Sequence, residues 1–109
     1  MSECAMEELD TDWARIPIGV PEGRDLPSDL LAYTRQHGMV AGFIHSPVCH
    51  QRRENCYTVT LMNFNPIQAQ ARRLRGDAVK LAGHFARLYG QTVVTVVFPD
   101  ETVNVRVGA

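Results

Sequence analysis

The chain has no apolar run approaching the roughly 20 residues that a membrane-spanning helix requires, so its 109 residues are not read as containing a span. It has no phosphate-binding glycine loop, no paired-carboxylate motif and no metalloprotease helix. No internal repeat and no low-complexity tract is present. Eleven basic side chains face twelve acids, so no large net charge points to one class of partner. There is one tryptophan and one lysine, Lys80, among ten arginines. The segment MSECAMEELD carries acids and no basic n-region, so no secretion signal is expected. A cytoplasmic protein follows, with Cys4, Cys49 and Cys56 expected as reduced thiols and a Cys49–Cys56 disulfide across the loop as the disfavoured alternative.

What is present suits one domain with one core, since two cores need a longer chain. Charge is unevenly spread: residues 1–30 hold eight acids against Arg15 and Arg24, and the remainder holds nine basic groups against four acids. Such asymmetry points to a nucleic-acid contact or an acidic interaction segment. Alternatively, the acidic segment folds back on the basic surface.

Residues 1–27 contain Pro17, Pro21, Pro27, Gly19 and Gly23 and read as an acidic, partly irregular arm. Trp13, Ile16, Ile18 and Val20 would tack it to a domain over 28–109. A short helix begins at Ser28 as its N-cap and ends at Gly38, with Leu30, Leu31, Tyr33 and Thr34 on its buried side. Residues 39–45 and 57–64 read as strands of one hairpin, residues 92–98 and 102–107 as another. Asn65 caps a long helix over 66–89, with Pro66 at its first position. In that helix Ile67, Ala71, Leu74, Ala78, Leu81, Ala82, Phe85, Leu88 and Tyr89 form a continuous apolar arc. The expected class is α+β: a four-stranded antiparallel sheet of two hairpins with the long helix packed across it, plus the short N-terminal helix.

Four features carry chemistry. His45, Cys49, His50 and Cys56 are zinc-ligand types within one hairpin, although their spacing matches no standard finger or ribbon; no cofactor is expected, with structural zinc as the alternative. Cys49 has His50, Arg52 and Arg53 beside it to lower its pKa, but no orienting acid can be placed, so no catalytic residue is assigned. Arg73, Lys80, His84 and Arg87, flanked by Arg72 and with Asp77 beside them, form a basic stripe along four helical turns, about 21 Å. Ala69, Gly76 and Gly83 recur every seven residues as a seam without bulk, which suits close approach of the arm or of a second copy; a homodimer is therefore among the expected states.

Together these features suggest a small non-catalytic protein-binding module or inhibitor that covers a larger protein partner, not an enzyme. Small inhibitors carried by phages and mobile elements, anti-CRISPR proteins among them, share this description. The partner-binding candidates are Glu7, Glu8, Asp10 and Asp12 on the arm and Arg72, Arg73, Lys80, His84 and Arg87 on the helix. Two alternatives stand beside this: a nucleic-acid binder using the basic helix face, and a small toxin-type ribonuclease drawing on His45, His50 or His84.

Overall fold

The computed structural model describes residues 4–6, 11–46, 55–62 and 71–108. Five strands and two helices run in the order β1 (Trp13–Val20), α1 (Leu26–His37), β2 (Gly42–Ser46), β3 (Asn55–Met62), α2 (Ala71–Leu88), β4 (Val93–Val97) and β5 (Thr102–Arg106). The sheet order is β2-β3-β1-β4-β5, and every neighbouring pair is antiparallel. Elements β1 to β4 thus form the split βαββαβ arrangement of ferredoxin-like folds, with β5 added at one edge. Both helices cover one face, since side chains from α1, α2 and that face of the sheet share a single buried cluster.

The expected hairpins and helices are present, but the sheet has five strands rather than four. The added strand is β1, drawn from residues assigned to the irregular arm. Its burial alternates: Ala14, Ile16, Ile18 and Val20 are buried, while Arg15 and Pro17 are exposed. That is the period of a half-covered strand. Pro17 and Gly19 masked it, because proline removes a ladder donor and argues against a central strand. Here the demand is relaxed. β1 is in register with β3 along its whole length, but meets β4 only at Arg15↔Val97. Further along, the Gln91 side-chain amide donates to the Gly19 carbonyl at 2.6 Å, supplying a partner where the β4 ladder has ended.

Helix α1 starts two residues before Ser28. Asp25 is its N-cap residue, and the Ser28 hydroxyl donates to Asp25 Oδ2 at 2.8 Å. Leu26, Leu30 and Tyr33 are buried, whereas Leu31 is half exposed, which corrects its place on the buried side. Gly38 closes the helix in the left-handed region at φ 61°. In α2 the buried set is Leu74, Ala78, Leu81, Ala82, Phe85 and Ala86; Leu88 lies outside it and is exposed. Asn65, Pro66, Ile67 and Ala69 lie outside the described residues. Fully burying one such leucine or phenylalanine contributes about 1.5–3 kcal/mol, so this contiguous set holds α2 on the sheet.

One cation ties the layers together. Arg75 donates through Nε and Nη2 to the two carboxylate oxygens of buried Asp12, at 2.9 and 3.1 Å. It also pairs with Asp100 at 2.8 Å and Glu101 at 3.2 Å in the β4–β5 turn. Its guanidinium lies 4.7 Å from the Phe98 ring centroid. These hydrogen bonds raise the Arg75 pKa, and Arg75 in turn holds the Asp100 carboxyl below its ordinary range. Asp12 is therefore part of the frame that joins β1, α2 and the β4–β5 turn, not a free acid on an arm.

Candidate functional site

Helices α1 and α2 and the end of β5 enclose a groove of about 430 Å³, within the size range of small-molecule sites. Tyr33 and His37 come from α1, one helical turn apart, so both project to the same side. Val79, Lys80, Gly83, His84 and Arg87 come from α2, and β5 and the residue after it contribute Val105, Arg106 and Val107.

The rings define its character. Tyr33 lies between two imidazoles, with centroids 4.2 Å from His37 and 4.6 Å from His84. His84 also meets Phe85 edge-on, at 5.2 Å and 89°. Burial lowers the His84 pKa, with neighbouring His37 and the Arg87 guanidinium acting in the same direction and Asp29 opposing them. Burial and the negative charge of Asp77 raise the Tyr33 hydroxyl. The groove thus presents a neutral imidazole and a protonated phenol at neutral pH, a surface on which a flat heterocycle stacks and hydrogen-bonds.

The basic stripe divides on folding. Arg73 is paired with Asp77 at 3.3 Å. Lys80 and Arg87 line the groove, are exposed, and form no salt bridge among the described residues. The backbone of Arg72 belongs to α2, and its side chain lies outside the described set. Glu7, Glu8 and Asp10 also lie outside it.

The glycine seam has a different setting from the one expected. A Cβ at Gly76 would meet nothing within 4 Å. One at Gly83 would lie 3.7 Å from an Arg87 guanidinium nitrogen and 3.9 Å from Val105. What faces Gly83 is therefore β5 and the groove; the arm residues form the central strand.

His45 lies on β2, 4.8 Å from the Tyr57 ring and away from the groove residues. Cys56 is buried and disulfide-bonded, with its partner outside the described residues, which corrects the expectation of three reduced thiols; Cys4 is free and exposed. Cys49, His50, Arg52 and Arg53 lie outside the described set. Among the described residues no group of three or more His, Cys, Asp or Glu is placed to hold a metal ion, and no helix is long and apolar enough to cross a membrane.

Sequence reasoning found His84, Lys80 and Arg87 but missed Tyr33 and His37 as site residues. Tyr33 belongs to the core as well as to the groove. Its four-residue spacing from His37 on α1 was the available signal.

No family model and no curated protein matches the chain. Its fold does match two solved structures over nearly their whole length. A phage SAM lyase in its apo state superposes with a TM-score of 0.70 at 17% identity, covering 97% of this chain and 98% of that one. A phage SAM lyase in complex with S-methyl-5'-thioadenosine superposes with a TM-score of 0.67 at 16% identity, covering 95% and 97%. At these identities the likeness establishes the fold. The non-catalytic reading is contradicted by this finding: both matched proteins are lyases, so the adaptor or inhibitor role and the expectation of no catalysis are set aside.

Proposed function

We propose that this chain is a lyase that cleaves S-adenosylmethionine to S-methyl-5'-thioadenosine, with the α1–α2 groove as its site. The observation that carries the reading is the end-to-end fold correspondence with two phage SAM lyases, one of them holding that nucleoside. The groove supports it independently, by pairing stacking rings with cations in a volume suited to a nucleoside. A phage origin accords with both neighbours.

The chemistry explains why no catalytic motif stands out. In the proposed step a carboxylate oxygen of the substrate attacks its own γ-carbon, forming a five-membered lactone. The bond from that carbon to the sulfonium sulfur breaks, and its electron pair stays on sulfur as a neutral thioether. Atoms and charge balance with no proton transfer, metal or external nucleophile. The carboxylate and sulfonium charges cancel as the bond forms, so the transition state is less polar than the bound substrate. Walls such as Tyr33, Val79 and Val105, which displace water, then favour the reaction. The protein's task is to hold the chain folded over the reacting carbon.

The test is to incubate the purified protein with S-adenosylmethionine and follow the nucleoside by liquid chromatography and mass spectrometry. S-methyl-5'-thioadenosine should accumulate together with homoserine lactone, well above the rate without protein, and Gly83→Leu, which fills the groove, should abolish it. Formation at the uncatalysed rate, with folding confirmed by circular dichroism, would remove the activity.

A further inference from the structure

Helix α2 carries three arginines and one lysine among its described side chains, and they have different fates. Arg73 and Arg75 are consumed by Asp77, Asp12, Asp100 and Glu101. Lys80 and Arg87 line the groove without an ion-pair partner among the described residues. They stand seven positions apart, two helical turns, and bracket Gly83 and His84. No described carboxylate lines the groove to neutralise them. Lys80 and Arg87, with Arg106 of β5 as a third cation lining the groove without a salt bridge among the described residues, stand beside three clustered rings and fit a ligand with an anionic end and a flat heterocyclic end.

We propose that Lys80 and Arg87 form a carboxylate clamp that recognises the amino-acid end of the ligand, while the Tyr33, His37 and His84 rings take its nucleoside end. This deepens the lyase reading and rests on it for the identity of the nucleoside. Both cations are exposed, so solvent screens the pairing and it acts as orienting attraction rather than a rigid lock. The clamp holds the full carboxylate charge of the substrate more tightly than the partly neutralised transition state, so its loss raises KM without lowering kcat. It also separates substrate from product, since S-methyl-5'-thioadenosine has no carboxylate and is released once the chain is cleaved.

The probes are S-adenosylhomocysteine, which keeps the carboxylate but lacks the sulfonium leaving group, and S-methyl-5'-thioadenosine, which lacks the carboxylate. Both are titrated calorimetrically into the wild type and into the Lys80→Gln, Arg87→Gln and double variants, with melting curves confirming folding. The wild type should favour S-adenosylhomocysteine. The double variant should lose roughly tenfold in affinity for it, the scale of charge-assisted hydrogen bonds at an exposed site, with less than about a twofold change for the nucleoside. Equal weakening of both ligands, or no change in either, overturns the clamp. So does a single-stranded oligonucleotide that binds through Lys80 and Arg87 when S-adenosylhomocysteine does not. The two readings fail separately: carboxylate-dependent binding without turnover retains the clamp and removes the lyase, and turnover with variant-insensitive binding does the reverse.

Discussion

Arg75 and Lys80 sit on the same helix, little more than one turn apart, yet they do opposite things. Arg75 is surrounded by Asp12, Asp100 and Glu101 and spends every charged contact on holding β1, α2 and the β4–β5 turn together. Lys80, with Arg87 beyond it, faces the groove without a salt bridge among the described residues. A count of basic residues along the helix treats all three alike. What each charge has already met separates the framework cation from the groove cations.

Removing the framework cation gives the largest expected effect. Arg75→Leu leaves Asp12 buried against an apolar neighbour, and breaking such a pair is among the more destructive substitutions. The melting midpoint should fall by roughly 10 °C. A fall of only a degree or two would show that the clamp on Asp12 carries little. Arg75→Lys sharpens the contrast: it retains the charge but not the planar fork that reaches several carboxylates at once. It should recover about half of that loss, and full recovery would mean that charge alone matters at this point.

The groove side titrates instead. Because the His84 pKa lies below the ordinary 6.5, the unfolded chain binds that proton more readily than the fold does. Stability attributable to His84 is therefore complete above pH 6.5 and declines as pH falls from 6.5 toward the folded value. His37 and Arg87 add to this depression, and Asp29 opposes it. His84→Gln should flatten the loss of melting temperature between about pH 7 and 5.5, by roughly 2 °C. An unchanged slope would place the acid sensitivity elsewhere.

The smallest effect completes the comparison. Lys80→Gln should move the melting midpoint by less than about 2 °C, because an exposed charge without a salt bridge contributes little to folding. A drop comparable to that of Arg75→Leu would show that Lys80 also belongs to the framework.

Most of the secondary structure was legible. The apolar arc of α2, Gly38 as a helix stop, and the hairpin of residues 92–98 and 102–107 each rest on contacts between near neighbours in sequence. Gly90, just after the long helix, adopts the left-handed region at φ 66°, as Gly38 does at φ 61°. The candidate site was half legible: His84, Lys80 and Arg87 share one helix face, so a projection finds them together. Tyr33 and His37 belong to another helix, and only packing of α1 on α2 brings their rings against His84. Gly83 was noticed for its missing side chain, but that absence opens the groove beside Val105 rather than admitting the arm.

Local periodicity and turn chemistry therefore determined which segments become helices and hairpins, because those preferences are settled within a few residues. Tertiary structure alone decided that residues 13–20 pass through the middle of the sheet. A strand with Pro17 and Gly19 is stable there because β3 pairs along its whole length, Gln91 caps its free carbonyl, and Arg75 anchors Asp12 from 63 positions away. The same long-range packing decided which of the described cations stay without a salt bridge beside the groove, where the chemistry is proposed.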